Sequence, residues 1–327
     1  MKSPKYTMLV TGIGAIIGYG IIKSLRQSGY LLRIIGMDIF QDAFGRHWCD
    51  DFEQAVRADD PHYVSFLRSL IKKYEIDLVI PGIEQDVSRI NSEREQFKDL
   101  PAQFVINNPE LIKISDDKWL THKKLVDAGL PFIKSYIEGT FERIAEEVGL
   151  PMILKPRRSY ASRGICLIYS EGDYNYWKRK LGDNFMVQEF IGKDEEEFTA
   201  AAFAYGDGGC SKKIIFRRIL SGEGATAKAV VVEDNGLDAC VDELVRIFRP
   251  EGPTNFQFRL HKGKYLPLEI NPRISSSTSL RTAFGFNEAK MCIEYYLENK
   301  RPDVDIIRRG RAVRYIEDYI IYDSDNL

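Results

Sequence analysis

The sequence has little cysteine, almost no net charge and no long apolar run. Its five cysteines are far apart, odd in number and without a CxxC pair, which predicts a reducing, cytoplasmic environment. A net charge of -2, with no long basic run, argues against nucleic acid or a membrane surface as a partner and leaves a small molecule. No apolar run approaches the roughly twenty residues that a membrane-spanning helix needs. The first residues enter a strand directly, so we expect no signal peptide.

The pattern of strands and helices divides the 327 residues into three parts. Short apolar strands alternate with amphipathic helices over the first hundred or so residues, which predicts a parallel sheet covered on both faces. A middle part pairs the strands PMILKP and ICLIYS as a hairpin with a polar connection, and ends with the strand FMVQEF. Longer alternating strands then predict an antiparallel sheet. We therefore expect mixed α/β and α+β architecture, with parts at residues 1–113, 114–188 and 189–327.

Individual elements can also be predicted. In the first part, AQFVIN is the fourth predicted strand. In the last part, TNFQFRL and KYLPLEI are neighbouring strands, and helices are expected near residues 237–248 and 287–299.

A glycine-rich turn, TGIGAIIG, follows the first strand. Its glycines, Gly12, Gly14 and Gly18, have a spacing one residue longer than the dinucleotide motif GxGxxG. Such a turn could hold a phosphate at a helix N-terminus, with Asp38 at the end of the second strand as the ribose-binding acid. The alternative is a tight turn that needs small residues for packing, and a glycine pattern alone does not decide between them.

Three oxygen-bearing side chains are predicted to meet near the end of the chain. Glu269 and Asn271 are separated by one residue and so share a face of a strand, while a short hairpin, HKGK, brings Gln257 alongside. A hard divalent cation such as Mg²⁺, or Mn²⁺, prefers such oxygens and takes its other ligands from substrate phosphates. The sequence therefore predicts a metal site for a nucleotide, with an ordinary polar strand face as the alternative.

Two lysines are candidates for contacting that nucleotide. Lys118 opens a helix, where the macrodipole disfavours a cation unless an anion lies nearby. Lys155 ends an apolar strand, where its charge would be half-buried unless it faced a ligand. Each could instead be a surface lysine with a solvated head. The polar loop at residues 157–164 could fold over phosphates or be an exposed connection.

The segment MVQEFIGKDEEEF places an acidic turn after a buried strand. Glu189, Phe190 and Ile191 could present side-chain and backbone groups to the edge of an adenine. Glu197 opens the next strand, so its direction is fixed, and it could accept hydrogen bonds from ribose hydroxyls. The acids at 194–196 fit a solvated turn.

Taken together, these segments resemble the ATP-grasp superfamily, and within it the synthetase domain of the carbamoyl-phosphate synthase large subunit. DDKWLTHKKLVDAGLP is similar to the family's lid-entry helix, PMILKP to the strand with the second phosphate-binding lysine, and VQEFIG to the adenine hinge. NFQFRL with LEINPRISSSTSL is close to the carbamoyl-phosphate synthase form, in which an amide, here Gln257, replaces the usual first acidic ligand. The lid loop departs from the family, because Gly164 is its only glycine.

The resemblance implies what each candidate does and which cofactors are used. ATP and Mg²⁺ (or Mn²⁺) are the expected cofactors, and parts one to three become a pre-ATP-grasp domain, a lid subdomain and an ATP- and metal-binding subdomain. The implied ATP-binding residues are Lys118, Lys155, Glu189, Phe190, Ile191 and Glu197, and the implied metal ligands are Gln257, Glu269 and Asn271.

The implied activity is that of an ADP-forming ligase joining a carboxylate to an amine or thiol through an acyl phosphate. Lys155 and Arg273 would be catalytic, with Arg273 stabilising the transferring phosphoryl group or holding the substrate carboxylate. Arg281 is a weaker candidate for the carboxylate, because a helix-surface arginine explains it equally well. Only one of Arg217 and Arg218 can face the site.

Other functions stay open at this stage. They are a kinase that releases a phosphorylated product, an ATP-binding module without catalysis, and a nicotinamide-dependent oxidoreductase built on the glycine-rich turn. The expected partners are a small carboxylate and an amine, with no nucleic acid or membrane, and a homodimer is an alternative to a monomer.

Overall fold

Three sheets, each in its own stretch of sequence, make up the computed structural model, which describes residues 3–159, 164–191, 196–222 and 224–320. The first sheet is parallel and the other two are antiparallel, which confirms the predicted mixed architecture. Within these ranges, no helix is both long and apolar enough to cross a bilayer.

The first sheet has five parallel strands in the order β3-β2-β1-β4-β5. The strands are β1 (Tyr6–Thr11), β2 (Leu32–Asp38), β3 (Asp51–Gln54), β4 (Leu78–Ile80) and β5 (Gln103–Phe104). The helices between them are α1 (Ile16–Arg26), α2 (Tyr63–Tyr74) and α3 (Glu84–Ser92). Strand β3 was not predicted, because four mostly polar residues at a sheet edge give no apolar alternation. The predicted strand AQFVIN forms only as the two residues of β5.

Side chains of this sheet alternate between two buried cores. Leu9 of β1 and Ile35 of β2 pack with α2 and α3. Met8 and Ile34, one residue earlier in each strand, point to the other face and pack with α1. Period-two alternation with both faces apolar is expected of a parallel strand buried on both sides.

The glycine-rich turn before α1 is closed upon itself. Gly12 has a φ of 59°, and a Cβ on Gly18 would lie 2.2 Å from the carbonyl oxygen of Gly12. Asp38 accepts hydrogen bonds from the backbone N–H groups of Gly14, at 2.8 Å, and Phe40, at 3.0 Å. The geometry supports the packing interpretation of these glycines, because Gly18 packs against Gly12 and the carboxylate of Asp38 is already hydrogen-bonded to backbone N–H groups.

The middle of the chain forms a four-stranded antiparallel sheet in the order β6-β9-β7-β8. Two helices lead into it, α4 (Pro109–Ser115) and α5 (Lys118–Asp127). The sheet consists of β6 (Ser135–Tyr136), β7 (Met152–Leu154), β8 (Cys166–Ile168) and β9 (Val187–Glu189), with helices α6 (Phe141–Val148) and α7 (Glu171–Leu181). The antiparallel hairpin of β7 and β8 is confirmed. Helix α6 was not predicted.

The last sheet has six strands in the order β14-β13-β10-β11-β12-β15. They are β10 (Glu197–Tyr205), β11 (Ile214–Leu220), β12 (Thr226–Val232), β13 (Glu251–His261), β14 (Lys264–Asn271) and β15 (Arg311–Val313). The helices are α8 (Asn235–Phe248), α9 (Thr278–Ala283) and α10 (Glu288–Cys292), and a π-helical turn, Ile293–Leu297, continues α10. The predicted helix at 287–299 is therefore part α-helix and part π-helix.

One face of the last sheet packs on α8, and the other shares a core with the N-terminal domain. Phe256 and Phe258 pack against α8. Ala201 and Phe216 lie in the same cluster as Ile21 of α1. Helix α1 contacts both α9 and α10, so the N-terminal domain is fixed against the sheet that carries the predicted metal residues.

We expect Gly18→Ala to destabilise the fold. The new Cβ would overlap the main chain of Gly12, and relieving that overlap should cost about 3 kcal/mol or more. Thermal unfolding followed by circular dichroism measures this as a lower Tm. The matched control is Gly172→Ala in α7, where the nearest atom to a new Cβ is 3.7 Å away and alanine should preserve or raise Tm. Equal Tm values for both variants would contradict the packing role of the turn.

Candidate active site

A cleft of about 580 Å³ lies where the three sheets approach one another. The N-terminal domain contributes the start of α1 and one side of α3, the middle sheet contributes β7 and the end of β9, and the last sheet contributes its polar face. The cleft is lined by all of the residues to which the resemblance gives an ATP-binding, metal-binding or catalytic role: Lys118, Lys155, Glu189, Phe190, Ile191, Glu197, Gln257, Glu269, Asn271 and Arg273. The structure thus brings the candidates together, while their roles stay predictions.

The predicted metal residues meet across one hairpin. Strands β13 and β14 are joined by a two-residue turn at positions 262–263, where both φ angles are positive, 49° and 74°. Continued from this turn, the register would place Gln257 opposite Leu268. A register shift between Gln257 and Phe258 moves the pairing by one residue, so that Gln257 lies opposite Glu269 and Asn255 lies opposite Asn271. The expectation that the hairpin brings Gln257 alongside is confirmed. The pairs form a polar face on the two strands, and this face lines the cleft.

The chemistry of these side chains fits a magnesium ion that arrives with phosphate. The trio offers the carboxylate of Glu269 and the amides of Gln257 and Asn271, and Asn271 Nδ2 is 3.5 Å from Glu269 Oε2. Among the residues that the structure describes, there is no group of three or more His, Cys, Asp or Glu side chains that could hold a metal. With a single carboxylate, the trio suits an ion that takes further oxygen ligands from a nucleotide.

Lys118 lies at the first turn of α5 and its ammonium group reaches into the cleft. Its Nζ donates to the carbonyl oxygen of Ser159 at 2.8 Å, and burial lowers the pKa of Lys118. The preceding residue, Asp117, caps the helix and pairs with Arg157 at 2.7 Å and Arg158 at 3.1 Å. The start of the polar loop is therefore tied to the helix that presents Lys118.

Lys155, just after β7, is a second cation affected by burial. Its Nζ donates to the carbonyl oxygen of Leu268 at 3.3 Å. Burial lowers the pKa of Lys155 to about 8; the charge of Lys118 adds to this lowering, and the charge of Glu269 opposes it. Both lysines are thus close enough to Glu269 to feel its charge, and both face the cleft rather than the outer surface.

The predicted adenine hinge lies at the end of β9. Glu189, Phe190 and Ile191 all line the cleft, and Phe190 leaves 47% of its surface exposed. Arg259 of β13 donates to the carbonyl oxygen of Ile191 at 3.3 Å, which ties the hinge to the last sheet. The rest of the acidic turn at Asp194 and Glu195, and residues 160–163 of the polar loop, lie outside the described residues.

Glu197 lies in the cleft wall between two arginines. Its carboxylate accepts from Arg218 Nη2 at 2.8 Å and from Arg259 Nη2 at 3.2 Å, and only 4% of the residue is exposed. The open choice between Arg217 and Arg218 is resolved, because Arg218 lines the cleft and Arg217 is exposed. The ion pairs with Arg218 and Arg259 hold the carboxylate of Glu197 in place. Its role in binding ribose stays a prediction.

Arg273 connects the predicted metal residues to the N-terminal domain. Its Nη2 lies 3.4 Å from Asn271 Oδ1 and pairs with the carboxylate of Glu84, the first residue of α3. Glu84 was not among the candidates, although it follows the carboxyl end of β4, where ligands of parallel sheets bind. Beside it, Asp116 also lines the cleft, and its pKa is raised by burial and by the charge of Glu84.

Arg281 does not match either interpretation made from the sequence. It is 0% exposed, pairs with the equally buried Glu288 at 3.3 Å, and is not among the residues that line the cleft. Helix α9 has no solvent face at this position, because the helix lies between the sheet and α1. Both the carboxylate-binding role and the surface position were therefore wrong.

Two cleft residues escaped the sequence analysis although a signal was present. Asn255, Gln257 and Arg259 alternate along β13, and all three line the cleft. Since residues two apart share a face of a strand, the prediction that Gln257 faces the cleft implies that Asn255 and Arg259 face it too.

The fold and the cleft match the ATP-grasp architecture that the sequence resembles, and comparison with known proteins agrees. Residues 183–319 match the family described as ATP-grasp in the biosynthetic pathway with Ter operon, and residues 8–105 match the PylC-like N-terminal domain. The ATP-grasp match thus covers the last part of the chain, which contains the predicted metal residues, and the N-terminal match covers most of the parallel sheet. The predicted resemblance is thereby confirmed.

Relatives and solved structures extend the comparison. The carbamoyl phosphate synthase large chain of Methanocorpusculum labreanum is 22% identical over 71% of this chain and 24% of its own length. The formate-dependent phosphoribosylglycinamide formyltransferase of Prochlorococcus marinus is 27% identical over 59% of this chain and 49% of its own. N5-carboxyaminoimidazole synthetase from Staphylococcus aureus, complexed with ADP, shares the fold, with a TM-score of 0.76, 16% identity and coverage of 96% of this chain and 83% of that one. The chain therefore spans half or less of the first two relatives.

Glu269→Gln should weaken the contribution of Mg²⁺ to nucleotide binding. Removing the single carboxylate of the trio lowers the ligand charge available to the ion, so we expect the Mg²⁺-dependent gain in ADP affinity to fall by about tenfold or more. Isothermal titration calorimetry with and without Mg²⁺ measures that gain. Glu243→Gln, on the exposed side of α8, is the matched control. An unchanged gain in Glu269→Gln would remove Glu269 from the metal site.

Nucleotide affinity should fall as pH rises above about 8, the pKa of Lys155. Phosphate stabilises the charged ammonium, so binding takes up a proton once the free lysine is neutral. We expect the ADP dissociation constant to rise by up to about tenfold per pH unit above that pKa, and to be nearly constant below it. The arginine of Lys155→Arg stays charged over the assayed range of pH 7 to 9, so the ADP dissociation constant of this variant should not change with pH. An equally steep profile in both proteins would exclude Lys155 as the titrating group.

Proposed function

We propose that this chain is an ADP-forming, ATP-dependent ligase that joins a small carboxylate to an amine or thiol through an acyl phosphate. The observation that carries the proposal is the arrangement around Glu269. That carboxylate belongs to an oxygen-rich trio, interacts electrostatically with both Lys118 and Lys155, and lies in the same cleft as Arg273. A site for a magnesium nucleotide and a site for an anionic substrate would thus be adjacent.

The nucleotide would occupy the part of the cleft between the middle and last sheets. Bound by Gln257, Glu269 and Asn271, Mg²⁺ would neutralise charge on the phosphates. Lys118 and Lys155 would contact phosphate oxygens directly, because their present partners are neutral oxygens of Ser159 and Leu268 that an anion can replace. Phosphoryl transfer depends mainly on such positioning and charge neutralisation.

The substrates would bind at the end of the cleft that the N-terminal domain closes. Arg273 lies between Asn271 and Glu84, where its guanidinium can turn from the carboxylate of Glu84 to that of a substrate. Glu84 and Asp116 would then face the incoming amine. The end of the cleft beside the N-terminal domain would then hold Arg273 for the carboxylate and the two acidic groups of Glu84 and Asp116 for the amine.

The chemistry has two steps. A carboxylate oxygen forms a bond to the γ-phosphorus of ATP, the bond between that phosphorus and the β–γ bridging oxygen breaks, and ADP leaves. The amine nitrogen or thiol sulfur then bonds to the acyl carbon, the bond to the phosphate oxygen breaks, and phosphate and a proton are released. The first step replaces an oxide, a very poor leaving group, with phosphate.

The relatives support this class of reaction. One is named as a carbamoyl phosphate synthase and another as a formate-dependent formyltransferase, and formate is a carboxylate. An N5-carboxyaminoimidazole synthetase of the same fold is complexed with ADP. We extend from these names to this chain only the nucleotide and the general reaction, with small-molecule substrates, a cytoplasmic location and a monomer or homodimer as parts of the proposal.

A screen for ADP release tests the proposal. Amino acids and other small carboxylates are supplied singly and in pairs with amines or thiols. We expect an active pair either to be required for ADP release or to stimulate it strongly. With ¹⁸O in the active carboxylate, a ligase transfers one labelled oxygen to the released phosphate. A labelled phosphorylated product without condensation would establish a kinase instead. No ADP with any pair, despite ADP binding, would indicate a binding module.

Arg273→Lys is the matched variant for that assay. Loss of the bidentate fork should raise the KM for the carboxylate by about tenfold or more and leave ADP binding nearly unchanged. A rise confined to the KM for ATP would instead place Arg273 at the nucleotide end of the cleft.

A further inference from the structure

A fully buried arginine lies directly behind the polar face of β13. Arg281 donates through Nη2 to Asn255 Oδ1 at 2.6 Å and to Thr199 Oγ1 at 3.1 Å, and through Nη1 to Ser275 Oγ at 2.8 Å. Its charge is balanced by Glu288 at 3.3 Å, and both residues are 0% exposed. A buried ion pair of this kind is weak evidence for stability alone, since apolar residues of similar volume often serve as well.

The network fixes which way the amide of Asn255 faces. A guanidinium has only donors, so the atom of Asn255 that meets Arg281 must be the oxygen. Thr199 Oγ1 donates to the same oxygen at 2.7 Å. The amide nitrogen is consequently on the side away from Arg281, and Asn255 lines the cleft. Among the bonds formed by the described part of the chain, that nitrogen makes none.

We propose that Arg281 is a positioning residue that holds the side-chain N–H₂ of Asn255 toward a phosphate oxygen of the bound nucleotide. The inference rests on the proposed function, because it needs an anionic oxygen beside the trio. Asn255 lies opposite Asn271 and two residues from Gln257, so the donor is adjacent to the metal residues. Such a fixed donor beside developing negative charge contributes without reorganising during the reaction.

A purely structural role for Arg281 makes a different prediction. If the arginine only stabilises the junction of α9 with the sheet, replacing it should affect ligand binding equally whether or not Asn255 is present. If it acts through Asn255, the two substitutions should not be additive. A second contact of Arg281, with Ser275, provides an internal comparison, because Ser275 also lines the cleft.

The test is a double-mutant cycle on the full-length protein with Mg²⁺ and ADP as the probe. We expect Arg281→Lys to weaken ADP binding by about tenfold in the wild-type background and by less than about twofold in Asn255→Ala. The same substitution in Ser275→Ala should keep its full effect. Calorimetry gives the dissociation constants, and circular dichroism establishes that each variant is folded.

Each outcome decides the proposal. Additive effects with Asn255→Ala, or coupling to Ser275 alone, would overturn the role of Arg281 while leaving the nucleotide site intact. Failure of the wild-type protein to bind ADP would overturn the proposed function, and the positioning role with it. Should Arg281→Lys fail to fold, Thr199→Val enters the same cycle, because it removes the other donor to Asn255 Oδ1 without unpairing Glu288. Coupling of Thr199→Val to Asn255 supports the proposal, and additivity overturns it.

Discussion

The register between β13 and β14 is the constraint on which the candidate site depends. It places Gln257 opposite Glu269 and Asn255 opposite Asn271, with Phe256 and Phe258 in the core behind them. A slip by one residue would turn the polar side chains into that core and the phenylalanines into the cleft, so burial enforces the register strongly. The same force that folds the hairpin therefore assembles the trio, and no binding energy is needed to bring its members together.

The charged groups of the cleft fall into two kinds, and the difference indicates where a ligand belongs. Arg218 and Arg259 both pair with the carboxylate of Glu197, so each already has an anionic partner within the protein. Lys118 donates instead to the carbonyl and hydroxyl oxygens of Ser159, and Lys155 to the carbonyl oxygen of Leu268, and burial lowers the pKa of each lysine. Neutral oxygens compensate a half-buried ammonium group poorly for its lost hydration. A bound anion would stabilise the charged form again. The phosphates of a nucleotide are anions of the right charge and reach.

Much of the fold and site could be predicted, because the relevant signals are local. Period-two alternation identified the long strands of the last sheet, and spacing of one residue paired Glu269 with Asn271. What escaped was set by tertiary packing. Strand β3 has only four, mostly polar residues, and the burial of Arg281 depends on α9 packing between the last sheet and α1. Helix α6 is the exception, because its eight residues are amphipathic and follow a capping threonine, so a local signal was present. Glu84 becomes a site residue only because the N-terminal domain folds onto the last sheet, which no local pattern expresses.

That contact between domains also limits what can determine the substrate. Helix α1 shares its core with the sheet that bears the trio, so the N-terminal domain cannot withdraw without exposing apolar surface. Opening of the cleft for substrates must then come from side chains at its edge or from the middle sheet, which has a separate core. Arg273 and Glu84 form an ion pair across the fixed side, and in the proposed reaction a substrate carboxylate would compete with Glu84 for Arg273. Substrate selectivity would therefore arise where Arg273 exchanges Glu84 for a substrate carboxylate without movement of the N-terminal domain. The nucleotide-binding part of the cleft, in contrast, would change shape with the middle sheet.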